Sequence, residues 1–147
     1  MAEIRQIYTA NGKQKPRKFA NKGKYFWTKE KIGGWHRRVM PKATLSSQVW
    51  KLEEEINEYY DSPNRSAEDV ADVVIMADVL DARYHLTGIR SIIKAALLTE
   101  FDNAELHRVV DKKMRINATE RDFVFDGKNY RHVNKTLPQP PEPPEAA

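Results

Sequence analysis

The stretch from Lys51 to Asp81 constrains this chain most, because it places two acidic clusters on two predicted helices. Glu55 and Glu58 are three residues apart. Asp69 and Asp72 have the same spacing, so each pair stands on one face of its helix. Four like charges brought together at the edge of a core repel one another, and a cation must compensate them. Since these ligands are all oxygen atoms, a hard divalent cation, typically Mg2+, is favoured.

Both acidic pairs border a predicted core stripe. The first helix carries apolar residues at spacings of four and three, namely Leu45, Val49, Leu52, Ile56 and Tyr59. The second helix carries Val70, Val73, Val74, Ala77, Leu80 and Tyr84. Glu55 directly precedes Ile56, and Asp72 directly precedes Val73, which places these acids at the edge of the stripes. The alternative is a purely solvated acidic face, the usual interpretation of one such pair alone.

The same residues resemble motifs of the MazG-like all-α nucleoside triphosphate pyrophosphohydrolases. Residues 54–58, EEINE, resemble the E-E-x-x-E motif of that family. Residues 68–72, EDVAD, resemble the E-E-x-x-D motif that follows, with Asp69 in place of the second glutamate. Lys113, Asn117 and Arg121 resemble the K-x-x-x-N…R stretch that closes many small, phage-type members. The resemblance covers residues 35 to 133 and predicts the fold and activity of that family.

The resemblance implies that a nucleoside triphosphate, in particular a deoxynucleotide, is hydrolysed to the monophosphate and pyrophosphate. The metal ligands for Mg2+, with Mn2+ as an alternative, are then Glu55, Glu58, Asp69 and Asp72. The resemblance also implies that the general base comes from the first motif, as Glu54, Glu55 or Glu58. Lys113 and Arg121 are expected to neutralise the leaving pyrophosphate, and Asn117 to bind phosphate or sugar. A purely structural role is an equally favoured interpretation of Lys113, Asn117 and Arg121.

The length and composition favour one domain that associates with copies of itself. A chain of 147 residues suffices for one core but hardly for two. Only 40% of the residues are hydrophobic, and the mean hydropathy is −0.73. A few helices with so few apolar residues cannot cover all of their own apolar stripes. The remaining apolar surface can be buried between subunits, so at least a dimer is predicted. The resemblance implies the same, because MazG-like enzymes generally work as dimers or tetramers.

Several classes of protein and site are excluded or disfavoured. The chain has no cysteine, which excludes disulfides, thiolate catalysis and cysteine zinc sites. No apolar run approaches the ~20 residues of a membrane span, and the N-terminus lacks the apolar core of a signal peptide. A soluble, cytoplasmic protein is therefore expected, located in the host cytoplasm if the chain is viral. A carboxylate-bridged di-iron bundle would need Glu-x-x-His pairs, and the sequence has none.

Charge is strongly segregated along the chain. Residues 1–42 hold 12 Lys and Arg against 2 acids, a net +10, whereas residues 43–147 hold 13 against 19, a net −6. The basic head could bind nucleic acid, screen the acidic helices or attract a polyphosphate. The alternative function is therefore a helical nucleic-acid-binding or regulatory protein that uses this head. The sequence shows no helix-turn-helix pattern that would support this alternative.

The predicted organisation is an all-α bundle of four main helices with a small C-terminal β-hairpin. A flexible basic arm at 1–24 precedes the domain at 25–135, and a Pro-rich disordered tail follows at 136–147. The main helices are predicted at Leu45–Tyr60, Ala67–His85, Ile89–Glu100 and Asn103–Asn117. Thr44 or Ser46 should cap the first, a Ser66–Asp69 capping box should begin the second, and Gly88 should stop it.

The segments on either side of these helices are predicted from turn signals. A short helix within residues 25–41 should be interrupted or end near Gly33-Gly34. A hairpin is expected from residues 123–125 and 130–133, with Asp126-Gly127 as its turn. Sealing the open end of the core is favoured for this hairpin over covering the nucleotide.

The aromatic residues and histidines have competing interpretations. Trp27, Trp35 and Trp50 are expected to fill the core, with stacking on a nucleobase as the alternative. His36 is expected at the surface, although contact with a base or phosphate is the alternative. Asp81 and His85, four residues apart, are expected to form an ordinary surface pair.

Overall fold

A computed structural model describes residues 25–135, so the predicted arm at 1–24 and tail at 136–147 lie outside the described residues. This part of the chain forms five helices and one antiparallel hairpin. The elements are α1 Lys29–Val39, α2 Leu45–Asp61, α3 Ala67–Tyr84, α4 Thr87–Leu97, α5 Asn103–Thr119, β1 Arg121–Phe125 and β2 Tyr130–Asn134. The helical class and the terminal hairpin are confirmed. No helix in residues 25–135 is long and apolar enough to cross a membrane.

Helix α3 is the centre of the bundle. It contacts α1, α2, α4 and α5. From Val70 to Asp81 every residue except Asp72 is buried. The sequence explains this position, because apolar residues occur on all sides of the helix rather than along one stripe, and such a helix must be covered all round. Asp72, which is only partly buried, therefore lies at a gap between the elements that pack around α3.

Helix α2 begins at Leu45 as predicted and ends one residue after the predicted Tyr60. The burial of its first turns differs from the prediction. Thr44 Oγ1 accepts from Ser47 N at 3.1 Å, and Ser47 Oγ accepts from Thr44 N at 3.0 Å, which closes a capping box. The later stripe positions Leu52 and Tyr59 are buried. Leu45 and Val49 were expected in the core and are not, being 41% and 40% exposed. Periodicity identifies the apolar face of a helix but not how far along it the partner helix extends.

Helix α1 runs through Gly33-Gly34 without a break, contrary to prediction. A Cβ atom at Gly33 would lie 2.6 Å from Ala82 Cβ, so this glycine permits a close approach of α1 to α3. Ile32 and Trp35 are buried in that contact. The described residues therefore form a five-helix bundle rather than one of four main helices, since α1 belongs to its core.

The connection after α3 also differs from prediction. His85 ends the helix in the left-handed conformation, with φ of 62°. Gly88 was predicted as the stop but lies inside α4, which begins at Thr87 and ends earlier than expected, at Leu97. Helix α5 begins at Asn103 as predicted and continues to Thr119. Its predicted inward residues are all buried, namely Leu106, Val109, Val110 and Met114.

The hairpin forms where the turn signal places it. Phe123 on β1 stands opposite His132 on β2, and Gly127 in the turn has φ of 101°. Phe123 packs edge-on against Trp35, with ring centroids 5.3 Å apart. The hairpin thus covers one end of the helical core, as favoured, and also forms one wall of the cavity described next.

Candidate active site

A cavity of about 500 Å³ opens between α2, α3, α5 and the hairpin. We call it the cleft. It brings together seven of the eight site residues predicted from the sequence, namely Glu54, Glu55, Glu58, Asp72, Lys113, Asn117 and Arg121. Residues separated by up to 67 positions thus line one cavity, which spacing within single helices does not reveal.

The acidic side of the cleft comes from α2 and α3. Glu55 is 9% exposed, and burial raises the pKa of its carboxyl group. A hydrogen bond from Lys51 opposes this effect, while the negative charges of Asp72 and Glu58 raise the pKa further. The two predicted acidic helices therefore meet at Glu55, where their charges repel.

Two lysines compensate part of this negative charge. Lys51 Nζ lies 3.0 Å from both Glu54 Oε2 and Glu55 Oε1. Lys113 Nζ lies 3.3 Å from Asp72 Oδ2. Lys51 was missed in the sequence, although its spacing of three and four residues from two glutamates is the signal of an ion pair on a helix.

Asp69 has a different environment. Its Oδ2 accepts hydrogen bonds from Ser66 N at 2.9 Å, from Ser66 Oγ at 3.1 Å and from Ser62 Oγ at 3.2 Å. The Ser66 backbone hydrogen bond is the main reason that the pKa of Asp69 is lowered. The predicted capping box is confirmed. Asp69 is the predicted metal ligand that does not line the cleft.

The acidic side fits a shared metal site rather than a cage made by protein alone. Within residues 25–135, no three carboxylate or imidazole groups are placed so that they could hold a metal ion. Mg2+ usually keeps several water molecules and binds one or two carboxylates together with substrate phosphates. One or two of the carboxylates of Glu55, Glu58 and Asp72, with the phosphates of a substrate, suit that arrangement. Binding of Mg2+ or Mn2+ stays a prediction.

Helix α5 and the hairpin contribute cations to the cleft. Lys113 and Arg121 line it from α5 and β1, and Arg131 from β2. Arg121 Nη1 donates to Asn117 Oδ1 at 3.1 Å, which fixes both side chains. Burial lowers the pKa of His132, and the positive charges of Arg121 and Lys113 lower it further. The predicted substrate-binding residues therefore lie together in the cleft, and the side chains around them are largely cationic.

The three tryptophans differ in burial. Trp35 is 6% exposed, and Trp27 packs edge-on against it at 6.4 Å, so the expectation of core filling is confirmed for these two. It is wrong for Trp50, which is 56% exposed and lines the cleft. The preceding residue, Val49, is also exposed, at 40%. An exposed indole at a cavity is available for stacking.

His36 is buried rather than exposed, contrary to prediction. It is 1% exposed and lies between Arg83 on α3 and Gln48 on α2. Arg83 Nη1 lies 2.7 Å from His36 Nδ1, and His36 Nε2 lies 3.0 Å from Gln48 Oε1. Burial and the charge of Arg83 lower the pKa of His36 to about 4, so it is neutral near pH 7. These partners are distant in sequence, and no local pattern indicates them.

Asp81 is also buried, so the predicted surface pair with His85 is wrong. Asp81 is 7% exposed, and its Oδ1 accepts from Lys29 Nζ at 3.1 Å, whereas His85 is exposed. Asp78 accepts from Arg90 Nε at 2.7 Å on the same face of α3. These acids line the side of α3 that faces away from the cleft. We call Asp78, Asp81, Lys29 and Arg90 the ion-pair network.

A further buried acid fixes the segment before α1. Asp111 Oδ1 accepts from the backbone N atoms of Phe26 and Trp27 at 3.0 and 2.9 Å. No local sequence pattern indicates the contact between Trp27 and Asp111, which spans 84 residues.

Comparisons with known proteins add no relative: no family model, no curated protein and no solved structure matches this chain. The MazG-like resemblance therefore depends on the motif residues alone.

Proposed function

We propose that this chain is a Mg2+-dependent nucleoside triphosphate pyrophosphohydrolase that releases a nucleoside monophosphate and pyrophosphate. The observation that carries the proposal is the composition of the cleft. Acids from α2 and α3 and cations from α5 and the hairpin line one cavity. A polyphosphate with its divalent cation needs both kinds of group together, whereas a cavity of one sign would suit a simple anion or cation.

The acidic side would hold the metal ion and prepare the nucleophile. One or two of Glu55, Glu58 and Asp72 would hold Mg2+ together with the substrate phosphates, and the metal ion would neutralise charge on phosphate oxygens and activate a water nucleophile. Glu55 is suited to accept a proton, because burial raises the pKa of its carboxyl group. Glu54 is held by Lys51 at 3.0 Å beside it.

The cationic side would stabilise the leaving pyrophosphate. Lys113 and Arg121 can each donate to phosphate oxygens, and charge-assisted hydrogen bonds are the stronger kind. Asn117 Oδ1 accepts from Arg121 and Asn117 Nδ2 donates to Met114 Sδ at 3.8 Å, which leaves the second amide hydrogen to donate toward a phosphate or sugar oxygen. Lys51, which pairs with Glu54 and Glu55, lines the same cleft and could also donate to a phosphate.

The size of the cleft and its aromatic rim agree with a nucleotide. A volume of about 500 Å³ lies within the range of small-molecule pockets. Trp50 offers an exposed indole face on which a base can stack.

The test is a screen of the eight common nucleoside triphosphates with a pyrophosphate readout, with Mg2+ and with a chelator. Pyrophosphate release from at least one nucleotide, dependent on Mg2+, is expected. Release at the same rate from Arg121→Ala and Lys113→Ala variants would contradict the assignment of the cleft.

Assembly is part of the proposal. Leu45, Val49 and Trp50 leave apolar surface exposed on α2 beside the cleft. We expect a second copy of the chain to cover part of it, in a dimer. The alternative of nucleic-acid binding depends on the basic head at 1–42, of which residues 1–24 lie outside the described residues, and stays a prediction.

A further inference from the structure

The side chain of Gln48 is held in one orientation by a chain of three hydrogen-bonding groups. Arg83 is permanently protonated and can only donate, so His36 Nδ1, 2.7 Å from Arg83 Nη1, must accept. The proton of the neutral imidazole is then on Nε2. His36 Nε2 donates to Gln48 Oε1 at 3.0 Å.

Arg83 is itself fixed by the end of α1. Its Nη1 donates to Met40 O at 2.8 Å, and its Nη2 donates to Pro41 O at 3.3 Å. These bonds anchor the guanidinium independently of His36. The orientation of the Gln48 amide is therefore imposed by the backbone of the α1 terminus rather than by the cleft.

The consequence for the cleft is a fixed hydrogen-bond donor. With Oε1 turned toward His36, the amide nitrogen of Gln48 lies on the side of Ser47, whose Oγ is 3.2 Å away. Both residues line the cleft. One hydrogen of the NH2 group is directed to Ser47, and the other is left for a ligand.

The position of Gln48 along α2 fits contact with a nucleobase. Gln48, Lys51, Glu55 and Glu58 follow one another on the same face of the helix. At 1.5 Å per residue, Gln48 stands about 10 Å from Glu55 along the helix axis. If the phosphates lie beside Glu55, the base end of the nucleotide extends toward Gln48 and Trp50.

We propose that Gln48 selects nucleobases with a carbonyl oxygen at the recognised edge, and that His36 and Arg83 are the positioning residues that hold its donor toward the cleft. The recognised groups are the keto oxygens of uracil, thymine, guanine or hypoxanthine. Cytosine and adenine place an amino group there, which would meet the NH2 group of Gln48 donor to donor. This inference rests on the proposed function for the location of the phosphates.

The experiment measures equilibrium binding of α,β-imido triphosphates, which cannot be cleaved, to the full-length protein with Mg2+. Two pairs of probes differ at one exocyclic group: the uracil and cytosine deoxynucleotides, and the hypoxanthine and adenine ones. Wild type should bind the keto member about tenfold more tightly in both pairs. Equal affinity within both pairs, or no binding of any probe, would overturn the inference.

Substitutions separate base reading from a structural role. Gln48→Glu replaces the donor by an acceptor of the same shape and should abolish or reverse the preference. His36→Gln retains a donor near the Nε2 position and should keep the preference, whereas His36→Leu should lose it. The control is His107→Phe, at a half-buried histidine outside the cleft, which should leave the preference unchanged.

Each outcome bears on one proposal. A uniform loss of affinity for all four probes in Gln48→Glu would show a structural role and overturn the inference. If His36→Leu does not fold, the Gln48→Glu result decides alone. Keto-selective binding without hydrolysis of the natural nucleotides would support base reading while contradicting the proposed hydrolase.

Discussion

The two faces of α3 both carry acids, but the charges are compensated in different ways. On one face Asp78 and Asp81 are 5% and 7% exposed, and the ion-pair network gives each a cation within 3.1 Å. On the other, Asp72 joins Glu55 and Glu58 at the cleft, where repulsion still contributes to the raised pKa of Glu55. Acids that are each paired with a cation away from the cavity need no further role, whereas acids that repel one another at a cavity are candidates for a binding or catalytic role.

This comparison explains why the sequence identified one face and misjudged the other. The glutamates of the cleft stand at helical spacing with Lys51 on α2, so their clustering can be recognised from the local sequence. The partners of Asp78 and Asp81 are Arg90 and Lys29, at separations of 12 and 52 residues. A local interpretation therefore paired Asp81 with His85, four residues away, and placed it at the surface.

The largest expected difference between the two faces is in catalysis. Under the proposed function, Glu55→Gln or Asp72→Asn should lower turnover by at least about 100-fold, because each removes a proposed metal ligand or proton acceptor. The circular dichroism spectrum should be unchanged. The melting temperature of Glu55→Gln should not fall, since burial raises the pKa of Glu55 and its ionised form is costly near neutral pH.

The control is Glu53→Gln, an exposed acid on the same helix that does not line the cleft. Its turnover should match wild type. Equal losses in the Glu53 and Glu55 variants would remove the distinction between the cleft and an ordinary acidic face.

The second effect is on stability at low pH, at His36. The pKa of His36 is about 4 in the fold, against the model-peptide value of 6.5, so the unfolded chain binds more protons between these values. Stability should therefore fall as the pH decreases through this range. Relative to His36→Gln, wild type should lose about 2 kcal/mol between about pH 7 and about pH 4.5, measured by denaturant unfolding.

Other groups cancel in that difference. Burial also lowers the pKa values of His107 and His132, but both residues are present in both proteins. A pH dependence identical in wild type and variant would mean that His36 is not buried in its neutral form.

The ion-pair network should affect stability and not chemistry. Burial raises the pKa of Asp78 as well, but Asp78→Asn leaves Arg90 Nε with only the more distant Asp81, at 3.9 Å, so the free energy of unfolding should still fall by about 1.5 kcal/mol. The matched surface pair is Glu68 with Arg108, 3.5 Å apart and about half exposed. Glu68→Gln should change stability by less than about 0.5 kcal/mol. A larger loss in Glu68→Gln than in Asp78→Asn would reverse this ranking.

The smallest expected effect concerns assembly. If a second copy covers Leu45 and Val49, dissociation is linked to unfolding and the melting temperature should rise by a few degrees per tenfold increase in concentration. Leu45→Lys should abolish this dependence. Light scattering that finds a single species at the 17.1 kDa chain mass throughout would exclude the dimer.

The sequence predicted most elements because their signals are local. Thr44, Ser66 and Asp126-Gly127 mark starts and a turn through contacts within three residues. It failed at Gly33, where a glycine serves a close approach to Ala82 rather than a helix break. The cleft was predicted in its acids and cations, but not in His36 and Gln48, whose contact joins two helices.

The most direct test of the central claim is the phosphorus spectrum of the products that the wild-type protein forms from a nucleoside triphosphate with Mg2+. We predict resonances of a nucleoside monophosphate and of pyrophosphate in equal amounts, and none after the same time with Glu55→Gln. Formation of a nucleoside diphosphate and orthophosphate, equal product from Glu55→Gln, or no product from any of the eight nucleotides would contradict the account.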